Sequence, residues 1–479
     1  MHANHGLFLP SVSNPDYSAP NHPPIENPMR TLRELSAKLA SGASSRALVE
    51  ECLARIDDPS GEGRRTFLKV HRDDALAAAD AHDRARRSGR AVSPFAGIPV
   101  SIKDLFDIEG DVTTAGSIAL RDAAPAARDA PSVARLRATG FIPIGRTNMT
   151  EFAFSGLGIN PHYDTPRNPY DRKTGRIPGG SSSGAAVSIT DGMAFGALGT
   201  DTGGSCRIPA ALCGIAGFKP TQRRVPTAGA FPLSTTLDSV GPLAASVGCC
   251  AILDAVLAGE SSFDLPPASL AGLQFAVPQT LVLDGLDKHV AAAFEAALKK
   301  LSSAGARIAD IPLRELNELP QMNAKGGFAA FEAYHIHRDL IAKKSAQYDP
   351  RVLVRIMRGQ EQSAADYEGL KPARAEFIQR VARITSAYDA LIMPTVPVIA
   401  PALAELENDN AYRDVNFLML RNPGLVNFLD RCAISIPCHR AGEAPAGLML
   451  AGEHGTDRRL LAIAAVAEKV VSPGRAKWA

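Results

Sequence analysis

The chain has 479 residues, 45% hydrophobic and 21% charged, enough to bury a large core as one big α/β domain or two to three ordinary ones. Its 52 Lys and Arg against 50 Asp and Glu leave a net charge of +2, which argues against electrostatic capture of nucleic acid or of an anionic membrane surface. Seven cysteines, an odd number with no C-x-x-C spacing, argue against a disulfide framework or a zinc knuckle and point to a reducing compartment.

Residues 1–30 are rich in Pro, Asn and His and lack a charged stretch followed by an apolar one, so they read as a surface tail and not a signal peptide. No apolar run approaches the ~18 residues that a membrane helix needs, and a cytoplasmic protein is expected. TLRELSAKLASGASSRALVEECLARI (31–56) gives two helical pieces, the second capped by Ser44 or Ser45 with Leu48, Cys52 and Ile56 on one stripe. A helix over about 73–87 follows, and its basic end HDRARRSGR reads as a solvated helix terminus. The strand IPVSIK (98–103), a short helix at SVARLRATG and the strand FIPIGRTN (141–148) suggest a parallel βαβ unit.

Residues 182–200 read as a helix, SSGAAVSITDGMAF, running into GALGTDTGG, and GIAGFKPT (214–221) as a buried strand with a turn. Helices are predicted at 246–259, 287–304, 322–345, 362–386 and 456–470, and strands at LQFAVP, ARIADIPL, DALIMPTV, AISIPC and AGLMLAG. ELENDNAYRDVN (405–416) reads as a long polar surface loop. With no repeat and no composition break after residue 30, residues 31–479 are expected to form a single α/β domain.

The chemistry concentrates in two bursts of glycine and serine, GGSSSG (179–184) and TDTGGS (200–205). Alone, GSSSG matches the G-x-S-x-G elbow of α/β-hydrolases and nominates Ser182 as the nucleophile of an esterase, yet the preceding RNPYDRKTGRIP is polar and turn-rich where that elbow requires a strand. An isolated GGSSSG equally reads as a turn capping a helix. TDTGGS can present consecutive backbone N–H groups to a developing oxyanion and ends in a serine, Ser205. Upstream, Lys103 ends an apolar strand, where desolvation lowers the pKa of a lysine toward that of a usable general base.

The run GGSSSGAAVSITDGMAFGALGTDTGGSCRIPAALCGIAGFKPT resembles the signature of the amidase signature family, serine amidohydrolases that include fatty acid amide hydrolase, malonamidase and the A subunit of the tRNA-dependent amidotransferase. FAGIPVSIKDLFDIEG, GRTNMTEFAFSGLGINPHYDTPRNP, LDSVGPLAASV, YDALIMPTVPVIAP, CAISIPC and PAGLMLAG resemble further family segments in family order. The resemblance extends over about 75–470, with the signature core at about 75–245, and implies a large twisted mixed β-sheet flanked on both faces by α-helices.

Carried over residue by residue, it makes Ser205 the nucleophile, Lys103 the base and Ser181 the bridging serine, 24 residues before Ser205 and preceded by a cis peptide. Backbone N–H groups of Thr202, Gly203, Gly204 and Ser205 would form the oxyanion hole, Asp201 and Arg207 would brace the loop, and Ser182 would hydrogen-bond within the site or cap the next helix. Cys206, beside the nucleophile, reads as a small buried filler. Met149, Phe152, Phe154 and Tyr163 are candidates for an apolar or aromatic acyl pocket, and no Arg or Lys cluster announces a charged substrate.

The expected activity is hydrolysis of a small or aryl amide, or a carbamate- or urea-like compound, with no metal and no organic cofactor. The expected partners are the small-molecule amide and at most a second copy of the chain, with no nucleic acid and no membrane. The alternatives are the A subunit of a glutamyl-tRNA(Gln) amidotransferase acting as a glutaminase, a non-enzymatic binding protein on a decayed fold, and the Ser182 esterase.

Overall fold

Strands rich in Val, Ile, Leu and Ala recur along the chain, and in the computed structural model, which describes residues 29–472, they join one mixed sheet. Its strands are β1 (Phe67–Val70), β2 (Pro99–Lys103), β3 (Ile142–Thr147), β4 (Ala197–Asp201), β5 (Ala216–Lys219), β6 (Ser239–Ala244), β7 (Gln274–Pro278), β8 (Arg307–Ile311), β9 (Ala390–Pro394), β10 (Ala433–Pro437) and β11 (Gly447–Ala451), in the spatial order β1-β3-β2-β4-β6-β5-β10-β11-β9-β7-β8. β2 runs parallel to β3 and β4 and β7 parallel to β8 and β9, while the six other pairings are antiparallel. Apart from Gln274 at the start of β7, the interior strands are buried along their whole length, and the edge strands β1 and β8 carry the other exposed polar positions, as a sheet covered by helices requires. The helix Pro131–Ala138 connects β2 to β3, completing the expected βαβ unit.

Of the predicted tail, only Met29 and Arg30 lie within the described residues. Met29 is buried, and Arg30 pairs with Glu51 and covers the Phe195 ring at 4.7 Å, so the packed fold begins earlier than residue 31. The helix predicted over 182–195 stops at Thr190, because Asp191 and Gly192, the latter at φ +67°, turn the chain, and the GALGTD that follows is the central strand β4. β1 and β6 go beyond the strands expected from the sequence. β6 contains Gly241 and Pro242, residues depleted in strands; a Cβ on Gly241 would lie 2.1 Å from the Phe218 carbonyl oxygen of the neighbouring β5.

The largest difference is at 405–416, where the predicted loop is largely the first half of a helix, Asp409–Phe428. Asn408 caps it by accepting from the N–H groups of Asn410 and Ala411, and Tyr412, Asn416 and Met419 form its buried stripe. The periodicity is hidden because polar Asn416 occupies a core position, accepting from Ser155 Oγ and Gly156 N–H, and because Pro423 sits inside the helix.

Candidate active site

β2 and β4 lie side by side, and this adjacency brings the end of the lysine strand against the second glycine burst. Lys103 is completely buried; its Nζ donates to Ser181 Oγ at 2.7 Å and to Thr200 Oγ1, on β4, at 2.8 Å. Burial drives the ammonium from its ordinary 10.5 down to about 8, opposed only in part by the charges of Asp238 and Asp201. Thr200 is a partner that no sequence motif nominates.

The Gly180–Ser181 peptide is cis. A glycine is needed just before Ser181, since a Cβ on Gly180 would lie 2.6 Å from the Gly158 backbone nitrogen. Ser182 does not cap the helix Ser183–Thr190 through its side chain; its Oγ donates to the Thr200 carbonyl at 3.4 Å and its N–H to the Ser205 carbonyl at 3.3 Å, tying the two bursts together. Ser205 lies between β4 and the helix Arg207–Cys213 and lines a cavity of about 400 Å³. Among the described hydrogen bonds none joins Ser181 Oγ to Ser205 Oγ, a separation that active sites without substrate commonly leave open.

The loop between these elements is clamped from beneath. Arg207, fully buried, donates to Asp201 through Nε at 3.0 Å and Nη2 at 2.8 Å, and Nη2 also reaches Asn427 Oδ1 at 2.6 Å and the Pro423 carbonyl at 3.1 Å. Asn427 Nδ2 returns a bond to Asp201 Oδ1 at 2.9 Å. Burial alone would raise the Asp201 pKa; the Arg207 charge and these hydrogen bonds override it and hold the group at about 2. Asn427 stands on the helix whose first half has the sequence of a polar loop.

The same carboxylate alters the expected oxyanion hole. Gly204 N–H donates to Asp201 Oδ1 at 2.8 Å, and Cys206 N–H to Oδ2 at 3.1 Å. Gly204 therefore fixes the loop and is removed from the expected set of donors; the N–H groups of Thr202, Gly203 and Ser205 remain. Cys206 is buried with its Sγ donating to the Gly241 carbonyl at 3.5 Å, and burial pushes its thiol well above the range in which a thiolate forms.

Asp238, immediately before β6, stands within the segment LDSVGPLAASV, which by itself gives the side chain no role. It accepts from Thr202 Oγ1 and from the N–H groups of Leu233 and Ser234, and burial raises its carboxyl to about 6. It thus ties the nucleophile loop to residues 233–234 and places a carboxyl near Lys103.

Of the four predicted pocket residues, Phe154 lines the cavity over Ser205. The other three lie elsewhere. Met149 is fully buried in the core beside Gly116, Phe152 packs into an aromatic cluster with Phe231, His337 and Tyr348, and Tyr163 is half-buried beneath the guanidinium of Arg121. Only Ala153, Phe154 and Ser155 of this irregular segment reach the cavity, while Met149 and Phe152 turn into the core. No Arg or Lys cluster is visible in the sequence, yet Arg355 and Arg421, 66 positions apart, both line the cavity. Among the described residues no cluster of three or more His, Cys, Asp or Glu side chains is placed to hold a metal ion, and no helix is long and apolar enough to cross a membrane.

The family model described as Amidase matches residues 47–461. The chain belongs to the amidase family. This amidase is therefore a hydrolase acting on carbon–nitrogen bonds other than peptide bonds. It is 38% identical over 408 residues to a 2-amino-5-chloromuconic acid deaminase of Comamonas testosteroni, covering 84% of this chain and 87% of that one. It is 33% identical over 473 residues to the A subunit of the glutamyl-tRNA(Gln) amidotransferase of Chromohalobacter salexigens, covering 91% and 95%. A crystal structure of an amidase superposes with a TM-score of 0.83 at 30% identity, covering 92% of this chain and all of that one.

Proposed function

We propose that the amidase cleaves the C–N bond of a small amide through Ser205, Ser181 and Lys103. The observation that carries the reading is the buried Lys103 Nζ at 2.7 Å from Ser181 Oγ, beside a cavity lined by Ser205. Neutral Lys103 accepts a proton from Ser181, Ser181 accepts one from Ser205, and the Ser205 oxygen attacks the amide carbonyl. The N–H groups of Thr202, Gly203 and Ser205 hold the tetrahedral oxyanion, each such donor stabilising the transition state by roughly 3 kcal/mol. The relay in reverse protonates the leaving nitrogen, since an amine anion is a very poor leaving group. Water then hydrolyses the acyl-enzyme by the same path.

The cavity volume supports a small substrate, as does the name of the Comamonas relative, a deaminase of a small acid. Turnover of amide, ester, carbamate and urea substrates by the wild type, Ser205→Ala and Ser182→Ala tests the mechanism. Loss in Ser205→Ala with retention in Ser182→Ala is expected, and the opposite pattern overturns it. A fluorophosphonate probe mapped to the peptide containing Ser205 gives the nucleophile independently.

Similarity to the A subunits of amidotransferases favours a second reading, a glutaminase that works with partner proteins. Glutamine hydrolysis by the chain with and without such partners separates the two.

A further inference from the structure

Other sheltered guanidinium groups of the amidase have polar partners: Arg146, Arg207 and Arg224 pair with Asp104, Asp201 and Asp254, and Arg374 donates to the Phe428 and Asn427 carbonyls. Arg355 differs. It stands on the helix Pro350–Met357 and lines the cavity over Ser205, and among the described residues it makes no hydrogen bond or ion pair. Its buried Nε has no partner. Its guanidinium lies 4.8 Å from the centre of the Phe154 ring and 5.8 Å from that of Phe417, both in the cavity wall, so it is held by aromatic faces instead of by a counter-ion. Burial pulls its pKa down, the nearby Tyr412 hydroxyl opposes this, and Arg358 adds repulsion.

Arg421, in the same wall, adds a second positive charge, with its N–H groups already taken by Asn422 Oδ1 and the carbonyls of Val282 and Asp284. No Asp or Glu is among the residues that line the cavity.

Arg355 is partly exposed at the cavity wall, and an aromatic clamp that leaves its N–H fork unused holds a ready site for a planar anion. We propose that the substrate carries a carboxylate remote from the scissile amide, that Arg355 binds it, and that the substrate bears no ammonium group. The proposal rests on the amidase reading above and names its substrate class. The apolar walls formed by Leu233, Leu237, Leu425 and Phe428 suit a hydrocarbon body between the two ends. A glutamine ammonium would enter a cavity holding two arginines and no acid, so free glutamine is a poor substrate.

The test is kcat/KM for adipic acid monoamide, its uncharged analogue hexanamide, the cationic 6-aminohexanamide, and glutamine, in the wild type, Arg355→Lys, Arg355→Met and Arg355→Glu. The wild type is expected to prefer the monoamide over hexanamide by about 10- to 100-fold, the range of a charge-assisted hydrogen-bonded pair, chiefly through KM. The ratio should fall partway in Arg355→Lys, approach one in Arg355→Met, and turn toward 6-aminohexanamide in Arg355→Glu. Circular dichroism checks that each variant folds, and competition by adipate in the wild type reads the same site without a substitution. A wild type that handles hexanamide or glutamine as well as the monoamide, or a preference that survives in folded Arg355→Met, overturns the proposal. Failure of the mechanism would look different: turnover of all these amides would survive Ser205→Ala.

Discussion

Raising the pH from 7 to 9 should switch the amidase on through Lys103. Burial holds its ammonium at about 8 against an ordinary 10.5. A group with that pKa is about one-tenth neutral at pH 7 and about nine-tenths neutral at pH 9, whereas an unperturbed lysine would be only about 0.03% neutral at pH 7. The expected profile of kcat/KM, measured between pH 6 and 10 on an amide that does not titrate in that range, rises about tenfold from pH 7 to 9 and then levels. The shift amounts to about 3 kcal/mol in favour of the neutral amine. Because the folded pKa lies below the unfolded one, the unfolded chain holds the proton more tightly between the two values. Lys103 thus costs stability below about pH 8, and stability recovers as the pH climbs from about 8 to 10.5. Lys103→Met should therefore abolish turnover yet stabilise the protein against urea at pH 7 by about 1 kcal/mol, the remainder of about 3 kcal/mol after roughly 1 kcal/mol each is lost where Ser181 and Thr200 lose their partner. A rate profile flat between pH 7 and 9, or one still rising steeply above pH 10, refutes a buried lysine base.

Arg207→Met leaves the Asp201 carboxylate buried and unpaired and should cost about 3–5 kcal/mol in thermal unfolding. Asp201 is held at about 2 against an ordinary 3.8, so its contribution to stability is present above pH 4 and is lost as the pH falls through about 2; acid titration of wild type and Asp201→Asn, followed by circular dichroism, reads this difference. Gly204→Ala should lose at least about 2 kcal/mol of stability in urea unfolding, because position 204 has φ +128° and the added methyl would lie 2.6 Å from Pro423 Cβ. Asp238→Ala removes a negative charge near Lys103 and releases Thr202, so the rising limb of kcat/KM should move below pH 8 while kcat falls about tenfold, read from the pH profile on one substrate.

Most of the sheet was legible because its interior strands are short apolar runs with turn residues at their ends, as in AISIPC and AGLMLAG. Lys103, Ser181 and Ser205 could be nominated because each stands in a distinctive local string. The residues that join them are less visible. Thr200, Asn427 and Asp238 act through contacts between segments far apart in sequence; Thr200 and Asp238 stand in the strings TDTGGS and LDSVGPLAASV, which give their side chains no role, and Asn427 stands in none. Arg355 is hidden for another reason: in PRVLVRIM a charged residue at helical spacing reads as a solvated face, and only the tertiary placement of Phe154 and Phe417 around it turns that face inward. The helix Asp409–Phe428 escaped because its core positions include asparagines that serve the site, where hydrophobic periodicity looks for leucines.

That helix links two properties that selection would otherwise adjust separately. Phe417, Leu420, Arg421 and Gly424 shape the wall that meets the substrate, while Pro423 and Asn427, one or a few residues away, hold Arg207 beneath the nucleophile loop. A change here that suits a new substrate also disturbs the clamp. Divergence toward new amides should accumulate instead on lining residues outside this helix, at Leu319, Pro320 and Asn323 and at Arg355, none of which bonds to the Asp201–Arg207 pair.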